Sequence, residues 1–249
     1  MKRNKILGIN FGHDSSASLV MNGEIVMAIE EEKMSRIKQD IGWPKHAINR
    51  ILYENNLSKS DIDLIAIEDN IPKQLGYYEI LFRFTKKRYY KILEYLSRIV
   101  YYILKLDNRI NESKNTLLIK KFLTKSGYKS EVEFYDHHLS HAASAFYTSP
   151  FTSNLVVTSD GRGGKYSFNF YIPTANGLKL LHGNKFNSSV GVFYSTITEI
   201  LGFRANRHEG KITGLAAYGK ETDLVKSFLL LFKFTSNGLL RYPFKEDKD

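Results

Sequence analysis

The chain has 249 residues, of which 43% are hydrophobic and 13% aromatic, and its formal net charge is +10. This composition lies far from that of disordered proteins, and the length suffices for one large or two ordinary domains. Cysteine is absent, which excludes disulfides and cysteine-based zinc sites. No stretch approaches about 20 continuous apolar residues and no signal sequence is complete, so we expect a cytoplasmic protein without a membrane partner.

The first 70 residues alternate between apolar runs and turn residues. A buried strand is predicted at 5–11 and further strands at 17–21, 24–29 and 64–67, with a hairpin at Asn22-Gly23 and a helix from Pro44 to Asn56. This order is typical of a mixed α/β sheet.

The positive charge is confined to the next segment. Residues 73–129 contain 14 Lys and Arg against four acids, which accounts for the whole net charge. Tyr and Phe interleave with these cations, so a basic helical insert is predicted at about 74–127. The insert is either a surface for phosphates or acidic lipid, or a helical hairpin with buried aromatic and solvated basic side chains. A patch confined to one segment does not indicate a nucleic-acid partner for the whole protein.

The remaining residues predict a second sheet. A fifth strand at 131–135 leads into a helix that Pro150 ends, and strands follow at 154–159, 166–172 and 178–186. Helices are predicted at 188–203 and 221–234, on either side of a glycine-rich loop at 204–219 that is either a binding loop or a connector. We therefore divide the chain into a first half, 1–150, and a partial second half, 151–249.

Two turns rich in glycine and aspartate follow the first strand of each half, at 12–16 and at 160–164. They form a weak internal repeat about 150 residues apart. Such turns expose successive backbone N–H groups that bind phosphate, although a hairpin also needs glycine for its own geometry.

Three imidazoles lie within five positions at the start of the helix before Pro150. His137 and His141 are four residues apart, so both rings share one helix face and can bind one divalent ion, whereas His138 points elsewhere. Two His ligands leave positions for an acidic residue, and Asp160 follows the next strand. The alternative is a capping cluster of Asp136 with surface histidines.

Four blocks of the chain resemble the N-terminal domain of the O-carbamoyltransferases of the nodulation and antibiotic-tailoring group. The blocks, in the family's order, are Ile6–Ala17 with Glu31–Arg36, His137–Tyr147, Val156–Gly161 and Glu209–Ala216. The resemblance implies an actin-like, sugar-kinase-like fold of two ribonuclease-H-type halves. It also implies transfer of a carbamoyl group from carbamoyl-adenylate, made from ATP and carbamoyl phosphate, to a hydroxyl of a small acceptor.

The same resemblance implies roles for individual residues. His137, His141 and Asp160 match the family's ligands for a divalent metal, Fe(II), and His13 lies near the transferred group. We take His13 as the candidate for proton transfer, because imidazole titrates near neutral pH, with phosphate binding as the alternative. Contacts to the nucleotide and its phosphates are expected from Asp14, Ser15, Ser16, Gly161, Gly163, Gly164, Glu209 and Lys211.

The family's chains are much longer than this one. The adenosine-binding segment, a further Asp ligand and the domain that forms carbamoyl-adenylate have no counterpart here, so the second half is expected to be incomplete. We expect the chain to be inactive unless a second chain supplies these parts. Two alternatives remain open: a threonylcarbamoyl-transfer protein that modifies tRNA, and a non-catalytic binding subunit that uses the basic insert.

Overall fold

The computed structural model describes residues 4–12, 14–68, 112–185, 189–230, 232–234 and 240–241. These form two compact units, Met1–Asp136 and His137–Asp249. The helix that begins at His137 thus groups with the second unit, whereas the sequence analysis assigned it to the first half. His13 and residues 74–111 of the basic insert lie outside the described residues.

The first unit contains one five-stranded sheet and its helices. Its elements are β1 (Lys5–Asn10), β2 (Ser16–Met21), β3 (Glu24–Glu30), α1 (Glu31–Ser35), α2 (Lys45–Glu54), a 3₁₀ helix (Lys59–Asp61), β4 (Leu64–Glu68), α3 (Glu112–Lys125) and β5 (Glu131–Tyr135). The strand order is β3-β2-β1-β4-β5. The pairs β1–β2 and β2–β3 are antiparallel, and β4 and β5 continue the sheet in parallel. This is the order of a ribonuclease-H-type half, so the predicted actin-like α/β class is confirmed.

The hairpin between β2 and β3 follows directly from its two turn residues. Asn22 and Gly23 have φ of 55° and 90°, the left-handed conformation that both central residues of a type I′ turn require. Because this turn matches the twist of its strands, it places Met21 opposite Glu24. The predicted hairpin is confirmed.

The core of the first unit is apolar. The helix predicted from Pro44 to Asn56 is confirmed as α2, and the apolar stripe of Ala47, Ile48, Ile51 and Leu52 on this helix is buried. Helix α3 also contributes to this core, because Ile119 and Leu123 are almost fully buried in it. The sequence analysis placed α3 within the basic helical insert predicted at about 74–127 and left open whether that insert has a buried face; in α3 it has one. Helix α3 is the crossover helix that parallel strands β4 and β5 need.

The second unit is built on a three-stranded antiparallel sheet. Its elements are α4 (His137–Tyr147), β6 (Val156–Gly163), β7 (Tyr166–Thr174), β8 (Gly177–Lys185), α5 (Val190–Ile200), α6 (Glu209–Ala216), α7 (Asp223–Leu229), β9 (Lys233–Phe234) and β10 (Leu240–Arg241). The order is β6-β7-β8, and β9 pairs separately with β10.

Two predictions for this unit need correction. The last helix ends at Leu229 rather than 234, and the chain continues as β9; the hairpin dipeptide Asn237-Gly238, which follows in the sequence, was overlooked. Strand β6 also runs on to Gly163, through the turn predicted at 160–164, because Gly163 pairs with Tyr166. Among the residues that the structure describes, no helix is long and apolar enough to cross a membrane.

Candidate metal centre

The proposed metal ligands come from one helix and one strand of the second unit. Helix α4 carries His137 and His141 one turn apart, and β6 carries Asp160. The helix lies against the sheet through a small apolar cluster of Ala142, Val156 and Tyr171. Ala142 has no side chain beyond its methyl group, so this contact sets the approach of the two histidines to β6.

Three ligand atoms converge at this point. The distance from His137 Nε2 to Asp160 Oδ2 is 2.6 Å, and from His141 Nε2 to the same oxygen 3.7 Å. The two Nε2 atoms are 3.1 Å apart. Ligand atoms bonded to one ion at about 2.1 Å lie roughly 3.0–3.4 Å from one another, so the set fits a single divalent ion after small movements. Two His and one carboxylate with open positions form a donor set that suits Fe(II).

The charge of Asp160 also fits a ligand. Hydrogen bonds from His137 and then His141 hold the pKa of the Asp160 carboxyl well below its usual range. The Gly161 N–H donates to Asp160 Oδ1 at 2.5 Å, so the other carboxylate oxygen, Oδ2, faces the histidines. The side chains of His141 and Asp160 are 56% and 35% exposed, so one side of the cluster is open to solvent.

A bulge in β6 presents Asp160. Ser159 pairs with Phe168 and Gly163 with Tyr166, so residues 160–162 lie opposite Ser167 alone. Such bulges redirect side chains at functional sites.

The sequence analysis missed the residue that anchors this bulge. Buried Ser189 donates its hydroxyl to the carbonyl of Asp160 at 3.2 Å and accepts from the Val192 N–H at 3.1 Å, as the N-cap of α5. A serine just before an apolar helix is an N-cap signal, and that signal was present in the sequence.

The three glycines of the predicted second phosphate turn have different surroundings. Gly164, with φ of 65°, forms the β6–β7 turn. A Cβ atom at Gly161 would meet no atom within 4 Å, whereas one at Gly163 would press on His137 and His138. The local structure therefore explains why glycine stands at positions 163 and 164 without any phosphate. Phosphate contact by all three glycines stays a prediction.

The predicted residues of the first turn belong to the first unit. Asp14 is exposed, has φ of 54° and accepts a hydrogen bond from Asn10 Nδ2 through its carbonyl. Ser15 is buried; its N–H donates to the carbonyl of Asp40 and its carbonyl accepts from the Glu31 N–H. Ser16 is the first residue of β2. Their contact with a nucleotide, like the role of His13, stays a prediction.

The two residues predicted in the late loop lie at the start of α6. Glu209 Oε1 accepts from Ser195 Oγ at 2.7 Å and from the Asn206 N–H at 2.5 Å, and the Ser195 hydrogen bond lowers the pKa of Glu209. Glu209 therefore links the 204–209 loop to α5. Lys211 is exposed. The predicted binding role of both residues is untested.

The fold and the histidine–carboxylate cluster define an actin-like protein with a candidate metal centre. Residues 5–246 match the family described as Carbamoyltransferase N-terminus, and the chain belongs to that family. The family resemblance noted from the sequence is thereby confirmed.

Three relatives show how much of a longer protein this chain spans. It is 32% identical to uncharacterized protein MJ1051 of Methanocaldococcus jannaschii over 88% of this chain and 34% of the relative. It is 33% identical to uncharacterized protein sll1178 of Synechocystis, over 92% and 37%. It is 28% identical to Nodulation protein NolNO of Sinorhizobium fredii, over 92% and 31%. The chain thus spans about a third of the length of these relatives.

Among solved structures, YeaZ from Pseudomonas aeruginosa aligns with 72% of this chain and 64% of its own length. The identity is 10% and the TM-score is 0.37.

Proposed function

We propose that this chain is the metal-binding core of a carbamoyltransferase that transfers a carbamoyl group from carbamoyl-adenylate to a hydroxyl of a small acceptor. The observation that carries the proposal is the convergence of His137 Nε2, His141 Nε2 and Asp160 Oδ2 within a domain of this family. These three residues would hold the ion, with Fe(II) as the candidate. When bound, such an ion supplies Lewis acidity toward carbonyl and phosphate oxygens.

The chain's own residues prepare this site. Asp160 stays ionised because both histidines donate toward it, and its backbone is held by Ser189. His137 Nε2 faces Asp160 Oδ2, and this nitrogen would bind the ion in the tautomer that carries its proton on Nδ1. The exposed side of His141 leaves space for a substrate, as sites for catalysis rather than for structure do.

In the transfer, one bond to the carbamoyl carbon forms and another bond to the same carbon breaks. The acceptor oxygen forms a bond to the carbamoyl carbon, and the bond from that carbon to the adenylate phosphate oxygen breaks. The hydroxyl proton passes to a base, for which His13 is the candidate. ATP and carbamoyl phosphate are the proposed source of the carbamoyl-adenylate. Binding of tRNA, or a purely non-catalytic role, would depend on the basic insert, most of which lies outside the described residues.

Metal content tests the proposal directly. The protein is grown with iron, and bound metal is measured by mass spectrometry and by anaerobic Fe(II) titration. We expect one ion per chain, and at least a tenfold loss of affinity in His137→Ala and in His141→Ala, because each removes one of three ligands. His46→Ala is the matched control, since His46 lies in the first unit beside Glu31. Unchanged metal content in both ligand variants would contradict the proposal.

Transfer needs a separate assay. The chain is supplied with ATP, carbamoyl phosphate and candidate hydroxyl acceptors, with and without the remaining two thirds of a relative such as NolNO. Carbamoyl product that depends on His137 supports the proposed reaction. Salt-sensitive tRNA binding without any product would favour the binding-subunit alternative.

A further inference from the structure

His138 lies in the first turn of α4, and its side chain is completely buried against the sheet. A buried imidazole needs a partner for each ring nitrogen. His138 Nε2 lies 3.1 Å from the carbonyl oxygen of Tyr166, which can only accept, so Nε2 carries the proton. Nδ1 therefore accepts from the hydroxyl of Thr158 at 2.8 Å. Both ends of the ring are thus hydrogen-bonded to neighbouring strands β6 and β7.

The ring of His138 lies directly beside the proposed ligand His137. The two ring centroids are 5.6 Å apart with planes at 80°, an edge-to-face contact. Gly163 closes the other side: a Cβ atom there would overlap His137 Cδ2 and lie 2.7 Å from His138 Cδ2. Only glycine allows the β6 backbone to approach both rings. The side chain of His137 is accordingly 20% exposed, against 56% for His141.

We propose that Thr158, His138 and Gly163 form a positioning support that fixes the orientation of the His137 imidazole for the metal ion. The inference rests on the proposed function. Binding is tighter when a ligand is held in its bound orientation before the ion arrives, and changes behind a ligand typically cost about 10–100-fold in affinity. The support acts through ring contact and a fixed tautomer of His138, and none of its three residues is itself a ligand.

The hydroxyl of Thr158 gives the sharpest test. Thr158→Val keeps the shape and removes the donor to His138, whereas Thr158→Ser keeps the donor. We expect the affinity for Co(II), used as a coloured probe, to fall about tenfold in Thr158→Val, with a changed visible absorption spectrum. Thr158→Ser should restore both. Thr198→Val is the matched control, because Thr198 is also buried and its hydroxyl donates within α5, to the carbonyl of Tyr194.

Gly163→Ala tests the second contact of the support. The added methyl group should displace both rings and weaken Co(II) binding at least tenfold. Gly214→Ala should leave the affinity unchanged, since a Cβ atom there meets no atom within 4 Å. If Gly163→Ala does not fold, as judged by circular dichroism, the comparison of Thr158→Val with Thr158→Ser tests the support by itself.

The outcomes separate this inference from the proposed function. If His137→Ala abolishes Co(II) binding while Thr158→Val and Gly163→Ala keep the affinity and spectrum of the unmodified protein, the support is refuted and the metal centre stands. If Thr198→Val changes the spectrum as much as Thr158→Val, the effect is one of general packing and the support is again refuted. If His137→Ala itself binds normally, the metal centre is wrong.

Discussion

The two units of this protein have cores of different chemistry. In the first unit, strands β1, β2 and β4 and helices α2 and α3 share one apolar cluster, whose buried members run from Leu7 to Tyr128. Among the described residues of the second unit, the buried members of the corresponding cluster are Ala142, Val156 and Tyr171. The interior of the second unit instead holds buried polar side chains: His138, Thr158, Ser167, Asn169, Asn184, Ser189 and Thr198.

This difference matches where the candidate site lies. Burial of apolar surface stabilises a fold without specifying directions, whereas hydrogen bonds contribute about 1 kcal/mol each but fix the orientation of the groups they join. The first unit therefore gains stability from its interior. The second unit uses its interior to orient rings and a carboxylate, as the contacts of His138 and Ser189 show.

The largest expected effect comes from truncating the apolar core. Ile65 is fully buried in β4, between Leu7 on β1 and Val132 on β5. Ile65→Ala should lower the free energy of unfolding by about 3–5 kcal/mol, because it leaves a cavity. Val156→Ala in the second unit should cost only about 1–2 kcal/mol. Urea unfolding followed by circular dichroism measures both, and equal losses would show that the two interiors contribute alike.

A second pair of variants defines where the apolar core ends. Leu123 and Leu117 lie on the same helix, α3, with exposures of 1% and 53%. Leu123→Ala should cost about 2–4 kcal/mol, and Leu117→Ala less than about 0.5 kcal/mol. The same urea experiment serves for both. A negligible effect of Leu123→Ala would show that α3 does not contribute to the apolar core of the first unit.

The smallest effect concerns a charge at the surface of the first unit. The hydrogen bond from Lys38, with one from the Gln39 N–H, lowers the pKa of Glu32 from 4.5 to about 2. Since the folded state favours the ionised form, this contribution to stability is complete above pH 4.5 and is lost as the pH falls toward 2. Glu32→Gln should remove that part of the pH dependence of unfolding, and Lys38→Met should remove most of it. An unchanged profile in both variants would exclude the pair as its cause.

Local signals in the sequence predicted much of this structure. The Asn22-Gly23 turn, the apolar stripe of α2 and the i,i+4 spacing of His137 and His141 each depend on neighbours within one turn or hairpin. Asp160 was also chosen from a local signal, because it is the acidic residue that follows the next predicted strand, and the structure brings it next to the two histidines.

Features that depend on distant contacts were not predictable in this way. The sequence left open whether the basic insert has a buried face, since Ile119 and Leu123 of α3 acquire their environment only from the packed sheet. The bulge at 160–162 arises from a pairing between Gly163 and Tyr166 that the composition of a glycine-rich turn does not reveal. The roles of His138 and Gly163 likewise appear only when β6 and α4 meet.

The strand order of the first unit also bears on how the chain acquires its structure during synthesis. Strands β1, β2 and β3 are joined by short connections, so their pairings form among residues close in sequence. The pairing of β1 with β4 joins Ile6 to Leu64, and that of β4 with β5 joins Leu64 to Glu131. Long loop closures are slow. We therefore expect the N-terminal meander to nucleate folding early on the ribosome, with β5 joining only after α3 has emerged.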